Sequence, residues 1–272
     1  MLVAIDIGGT KTRIGRADDA DALAAVDVFH TFPTYREGFD ALVDAVKSIA
    51  HGKPRGVAVG APGVLSRDKR RIVSATNLPD WSGAALADDL EAALGAPVIM
   101  ENDTALVGLG EATVGAGKGA AIVAYVTIST GVNGARIVDG ALDRAAFGFE
   151  IGEQLLGRDA GAPTLEELVS GRAIEDRFGA PPASLGEDHP VWDELAGIVA
   201  IGLHNTIAHW SPERIVLGGS MMRDVGIRLD RIDARLAALE RKNPVLPELR
   251  RAALDDLGGL WGGLVRLRRL SD

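Results

Sequence analysis

With 272 residues, no cysteine, and a formal net charge of −9 from 29 basic and 38 acidic residues, the chain is long enough for one large domain or two lobes. The acidic balance disfavours a large nucleic-acid or anionic-membrane surface but leaves room for a local phosphate site, and the lack of cysteine excludes disulfides, thiolate catalysis and cysteine-ligated metal. The start lacks a basic signal region and the longest near-apolar run, residues 119–128, is far short of a membrane span, so a soluble, cytoplasmic protein acting on a small molecule is expected.

The chain opens on an apolar strand, Leu2-Val3-Ala4-Ile5, that carries Asp6 at its end. Gly8 and Gly9 follow. Glycine reaches positive φ and has no Cβ, which suits a tight turn whose N–H groups approach an anion. Thr10 and Lys11 add a hydroxyl and a positive charge, and residues 12–15 read as a returning strand. This opening is either an ordinary Gly-Gly hairpin or a phosphate loop. Residues 23–32 read as a third strand ended by Pro33, and residues 36–49 carry apolar side chains at helical spacing. Residues 56–59 form a buried-strand run into Gly60-Ala61-Pro62-Gly63, a connecting turn or a ligand-facing loop. Asn77 lies in a polar loop as a turn residue or a ligand contact, and Ser82 is placed to cap a helix over 84–94. A strand then ends in Glu101-Asn102-Asp103 before a small-residue helix over 105–115. Asp103 there is a helix N-cap or a functional carboxylate.

A second strand, residues 120–128, stops in Ser129-Thr130-Gly131-Val132-Asn133-Gly134 and resumes over 135–138, with Asp139-Gly140 as a turn signal. This repeats the layout of the opening and suggests two related lobes that meet within residues 104–117. Glu150 and Glu153 share a face at helical spacing, and Leu165-Glu166-Glu167 adds further carboxylates. A long helix spans 191–210, and a strand over 214–217 turns at Gly218-Gly219-Ser220, a common place for nucleotide or for a plain turn. Helices over 230–241 and 257–270 close the chain.

In this order, the segments Asp6-Ile7-Gly8-Gly9-Thr10-Lys11, Gly60-Ala61-Pro62-Gly63, Asn77, Glu101-Asn102-Asp103, Thr130-Gly131 with Gly134, Glu150-Ile151-Gly152, Leu165-Glu166 and Ile215-Val216-Leu217-Gly218-Gly219 resemble the ROK family of sugar kinases and repressors. The resemblance implies an α/β, two-lobed actin-like (ribonuclease H-like) fold with a central ligand cleft. The N-terminal lobe would be residues 1–104 joined by the C-terminal helix 257–272, and the second lobe residues 105–256. It implies ATP-dependent phosphorylation of a hexose or related sugar, as in a glucokinase, with Asp103 as general base. Gly63, Asn77, Asn102, Glu150, Glu153 and Glu166 would hold the sugar. Gly8, Gly9, Thr10, Lys11, Thr130, Gly131, Gly218 and Gly219 would hold ATP, and Asp6 would orient Mg²⁺ through water. A homodimer is expected from the resemblance alone.

Departures from the family pattern carry expectations of their own. Glu153 stands where the family has a histidine that touches the sugar and ligates zinc, and the zinc-binding cysteines are absent, so no structural zinc is expected. The segment 154–164 is short, and Ser129 and Asn133 replace glycines usual in the second hairpin. A non-catalytic sugar- or nucleotide-binding regulator on the same fold is the alternative. The family's repressors carry a helix-turn-helix ahead of the Asp6 strand, none precedes it here, and no nucleic-acid partner is expected.

Overall fold

The computed structural model describes residues 1–18, 22–223, 225–239 and 245–269. It divides into two units, one formed by Met1–Val114, Arg144–Gly148 and Asp256–Asp272, the other by Gly115–Asp143 and Phe149–Asp255. The first contains β1 (Leu2–Ile7), β2 (Lys11–Ala17), β3 (Ala25–His30), α1 (Tyr35–Ile49), β4 (Val57–Ala61), the small pair β5 (Val64–Leu65) and β6 (Ile72–Ser74), α2 (Leu86–Leu94), β7 (Val98–Asn102) and α3 (Asp103–Thr113). The second contains β8 (Ile122–Ile128), β9 (Val132–Val138), β10 (Ala141–Leu142), α4 (Leu165–Val169), α5 (Gly171–Phe178), α6 (Val191–Trp210), β11 (Arg214–Gly218), α7 (Leu229–Leu239) and β12 (Glu248–Arg251). The chain then returns to the first unit as α8 (Gly258–Arg268).

Each unit is built on a five-stranded sheet of the same design. The orders are β3-β2-β1-β4-β7 and β10-β9-β8-β11-β12. In both, the first three strands are antiparallel and the last two join in parallel. The Asp139-Gly140 signal is the β9–β10 turn, with both residues at positive φ, 51° and 65°.

Side-chain alternation along β1 sorts the first unit into layers. Val3, Ile5 and Ile7 pack with Leu42 and Val46 of α1 and Leu86 and Leu90 of α2. Leu2 and Ala4 point the other way, against Leu260, Leu264 and Leu267 of α8. Period two therefore sends Asp6 to the α8 face. That helix can lie close only because it is glycine-rich. A methyl group on Gly262 would overlap the Leu106 carbonyl of α3, and one on Gly263 would sit 3.0 Å from Ala4 Cβ. The α3–α8 crossing is thus almost backbone on backbone, which is why α3 belongs with the first unit. Glu101, buried on β7, is held by Lys69 and by Arg266 of α8 at 3.3 Å. In the second unit α6 lays Leu195, Val199 and Leu203 on the sheet, with Ile174 of α5 and Leu236 of α7 in the same core.

Most elements read from the sequence are present, with instructive shifts. Ser82 does not cap α2, which starts after Ala85. Its hydroxyl instead accepts the Ala75 N–H at 3.0 Å and closes the Asn77 loop. Residues 240, 241 and 270 of the two last helices read from the sequence lie outside the described residues. No described helix is long and apolar enough to cross a membrane.

The close crossing makes a paired prediction. Gly262→Ala drives a methyl into backbone that cannot swing aside and should cost about 1–3 kcal/mol of stability. Gly197→Ala, in the interior of α6 with open space around the new methyl, should instead gain about 0.5–1 kcal/mol from helix propensity. Urea unfolding of the two variants reads both signs, and destabilisation of similar size in both would contradict the packing account.

Candidate active site

In the first unit the β1–β2 tip, residues 8–11, closes with the Gly8 N–H on the Lys11 carbonyl at 3.0 Å. Gly9, Thr10 and Lys11 are exposed there. Neither Gly8 nor Gly9 takes the left-handed φ that sequence reasoning invoked. Their lack of a Cβ matters for space instead: a methyl would stand 3.1 Å from the Lys11 carbonyl oxygen at Gly8, and 3.3 Å from Asn77 Cβ at Gly9. Asn77 therefore lies against the hairpin tip. Thr31, just past β3, braces the same turn from behind. Its hydroxyl donates to the Gly8 carbonyl at 2.7 Å and its N–H to the Thr10 carbonyl at 3.0 Å.

Strand register places the charged groups at one level of the sheet. Asp6 pairs with Arg13 on β2 and with Gly60 on β4, and Gly60 pairs with Glu101 on β7. The bare Gly60 lies between the Asp6 carboxylate and the start of α3: its missing Cβ position is 3.4 Å from Asp6 Oδ1 and 3.4 Å from Asp103 Cα. Arg13 stands 3.9 Å from the Asp6 carboxylate and 2.9 Å from Asp256. Gly259 of α8 presses on the other side, where a methyl would come 2.5 Å from Asp6 Cγ. Burial, with the neighbouring Asp103 charge adding to it and Arg13 opposing, pushes Asp6 up to about 7. Burial also raises Asp103 to about 6, against the hydrogen bonds from Thr104, whose N–H donates to Asp103 Oδ1 at 2.7 Å.

Asp103 is not the helix cap. Asn102 is: its Oδ1 accepts the Ala105 N–H at 3.2 Å, and Asp103 is the first residue of α3. The Asn102 amide also donates to the Gly63 carbonyl at 3.1 Å, tying helix α3 to the Gly63 loop. Gly63 has φ +80°, and a side chain there would overlap the Ser74 carbonyl, so the glycine is required twice over.

The second unit gathers the other group of residues singled out in the sequence. At the β8–β9 tip the Ser129 N–H donates to the Gly131 carbonyl at 2.8 Å and Thr130 is exposed. Glu166 of α4 reaches that tip and accepts the Val132 N–H at 2.6 Å. Glu150 and Glu153 bound a single 3-10 turn, Ile151–Glu153, and both are exposed. Three residues per turn brings them onto one edge, as spacing suggested, though on a 3-10 turn and not an α-helix. Gly218 ends β11, and Gly219, at φ +95°, abuts the Ile128 backbone at the base of the hairpin. The segment after Glu153 folds on itself by main-chain pairing: Leu165 N–H donates to Gln154 at 2.9 Å, Leu156 N–H to Pro163 at 2.9 Å, and Leu155 bridges Thr164. Thr164 and Glu167 complete a reciprocal capping box on α4.

The chain matches the ROK family model over residues 2–268. It belongs to the ROK family. A glucokinase of Streptomyces coelicolor is 28% identical over 276 residues, covering 85% of this chain and 86% of that protein. Among solved structures, a ROK glucokinase from Streptomyces griseus in complex with glucose and AMPPNP is 26% identical, with a TM-score of 0.82 over 99% of both chains. A ROK hexokinase from Thermus thermophilus is 27% identical, with a TM-score of 0.81 over 100% of this chain and 99% of that one. The chain thus has the two-lobed actin-like fold of ROK sugar kinases.

Sequence reasoning missed Thr31, Arg13, Asp256 and Gly259, each of which acts on a residue it did find. Their roles come from strand register and from a helix distant in the chain. The glycine run in the last helix was the one visible signal.

The raised carboxylates carry a stability prediction. A folded-state value above the ordinary 3.8 favours the folded state when the group is protonated, so that stability is full below about pH 4 and is lost as pH rises through 6 to 7. For Asp6 the loss reaches at most about 4 kcal/mol. Asp6→Asn should therefore be more stable than wild type at pH 8 in metal-free buffer and lose that advantage toward pH 4. Urea titrations at the two pH values measure it, and a variant no more stable at pH 8 would remove burial as the cause.

Proposed function

We propose that this chain transfers the γ-phosphoryl group of ATP to a hydroxyl of a hexose or related sugar, with Asp103 as the general base. The observation that carries the reading is the Asp103 carboxylate, half-buried at the first turn of α3, where lost hydration raises it to about 6. Such a group is mostly ionised at pH 7 yet basic enough to take a proton. A sugar hydroxyl is a poor nucleophile until its proton is accepted; as its oxygen bonds to the γ-phosphorus and the bond to ADP breaks, the proton passes to Asp103. Residues 8–11, with Thr130 and Gly131, hold the ATP phosphates, and Gly218 and Gly219 lie beside the adenosine. Asn77, Glu150, Glu153, Glu166 and the Gly63 backbone hold the sugar. Asn102 joins them with what its two internal hydrogen bonds leave over, one N–H and one lone pair.

Asp6 fits Mg²⁺. It is an oxygen ligand at the foot of the phosphate hairpin, its partner Arg13 is beyond hydrogen-bond reach at 3.9 Å, and its burial makes a neighbouring cation favourable. The ion, when bound, neutralises phosphate charge.

The test is sugar-dependent ADP release across a panel of hexoses and amino sugars. Asp103→Asn keeps the side chain's shape but not its basicity, and turnover should fall roughly 10²-fold or more with AMPPNP affinity unchanged. In the wild type kcat/KM should decline on the acid side with an apparent pKa near 6 to 7, the range of the two carboxylates. Unaltered turnover in Asp103→Asn, or no ADP release with any sugar, overturns the reading.

The chain is further read as needing no structural zinc, because the segment after Glu153 is closed by backbone pairing and the α4 capping box. A zinc chelator, with ample Mg²⁺ present, should leave melting temperature and activity unchanged. Glu153, an exposed anion, should favour neutral and amino sugars over acidic ones, a preference that Glu153→His relaxes. Stoichiometric bound zinc, or the same preference in Glu153→His, would contradict these two statements in turn.

A further inference from the structure

The two hairpin tips are braced by different chemistry. The first leans on Thr31, a neutral residue that the proposed function leaves outside the sugar site. The second leans on Glu166, a carboxylate that the proposed function places in the sugar site.

The grip on the second tip is detailed. Glu166 Oε2 accepts the Val132 N–H at 2.6 Å, a short, charge-assisted bond. The same oxygen crowds Gly131, where a Cβ would stand 2.6 Å away, while Oε1 lies farther off at 3.7 Å from that position. Gly152 makes room for the Val132 carbonyl, which any side chain there would overlap. The start of α5 completes the clamp, the Gly171 N–H donating to the Ser129 carbonyl at 2.6 Å and the Arg172 N–H to the Thr130 carbonyl at 3.4 Å. Of these contacts only the one from Glu166 is made by a side chain. It is therefore the one that a ligand can alter without moving the main chain.

We infer that Glu166 is a positioning residue for the nucleotide phosphates as well as a sugar ligand, so that one carboxylate couples occupancy of the sugar site to the shape of the phosphate hairpin. The inference rests on the proposed function and deepens it. Oε2 fixes residues 130–132, and Oε1 is left to accept a sugar hydroxyl. A sugar bound at Oε1 orders the Glu166 rotamer that the Val132 bond also requires, so the ordering cost is met once for both ligands. By reciprocity, nucleotide bound at the hairpin favours sugar by the same factor.

Calorimetric titration of AMPPNP with Mg²⁺, in the absence of any sugar, tests this on the intact chain. A residue that only touches sugar leaves sugar-free nucleotide affinity unchanged. Glu166→Ala should weaken AMPPNP about tenfold, the size of one lost charge-assisted hydrogen bond. Glu166→Gln, whose amide oxygen still accepts the Val132 N–H, should stay within about threefold of wild type. Amide hydrogen exchange at Val132 should quicken in Glu166→Ala and not in Glu166→Gln. If the alanine variant does not fold, Glu166→Asp takes its place, since it keeps the charge but is one methylene short of Val132. Equal affinity in wild type and Glu166→Ala overturns the inference alone. Equal loss in Glu166→Ala and Glu166→Gln also overturns it, because the hydrogen bond is then not what is felt. A wild type that binds no AMPPNP overturns the kinase reading and the inference with it.

Discussion

A carboxylate buried in a sheet needs something beside it that is neither bulky nor hostile, and for Asp6 that neighbour is a glycine from the far end of the chain. Gly259 lets α8 pass within contact of the Asp6 side chain, and Gly262 and Gly263 let the same helix settle on α3 and β1. The level of the sheet that carries Asp6 also carries Arg13, Gly60 and Glu101. Glu101 is in turn held by Arg266 from α8. The C-terminal helix therefore meets this row twice, at Asp6 and at Glu101. A larger side chain at Gly259 would force the helix away from Asp6, and with it the shielding that raises the carboxylate.

Two copies of one topology do not imply two copies of one device. Both sheets begin with a hairpin whose tip is exposed, and both tips are held from outside by a single side chain. Thr31 is reached by strand order, because β3 runs alongside β2 and ends beside the first tip. Glu166 is reached by a helix pair, α4 and α5, that has no counterpart beside the first tip among the described residues. The first tip is braced by a hydroxyl that has no part in the proposed sugar site, though Asn77 lies against it. The second cannot be independent of whatever else engages Glu166.

The parts legible in the sequence were those written in local periodicity and in glycine. The strands with their hairpins, the long α6 and the Asp139-Gly140 turn follow from alternation, helical spacing and turn chemistry. The short helices α4 and α5 were not read, although Thr164 with Glu167, and Ser170, are ordinary helix-start signals. Glu166 drew attention as a ligand, and Glu167 beside it, the residue that completes the cap, was read only as a further carboxylate. Gly8 and Gly9 were singled out for a reason the backbone does not use, since what a side chain would meet there is crowding by Lys11 and Asn77, and not a positive φ. Thr31 and Arg13 could not be read at all. Each depends on which residue of a neighbouring strand lies opposite, and register is a tertiary fact.

The strand end at β7 divides its labour between adjacent residues. A helix start needs an acceptor for its first free N–H groups, and aspartate commonly serves. Had Asp103 been the cap, its lone pairs would point down the helix axis and its basicity would fall as it accepted those donors. Asn102 takes the capping role with a neutral oxygen and uses its amide to hold the Gly63 loop. Asp103 is left one position on, inside the first turn, where lost hydration outweighs the hydrogen bonds from Thr104 and from its own backbone. The helix dipole and those hydrogen bonds pull its affinity for protons down, and the loss of hydration pushes it further up. The balance leaves a carboxylate mostly ionised at neutral pH and able to accept a proton.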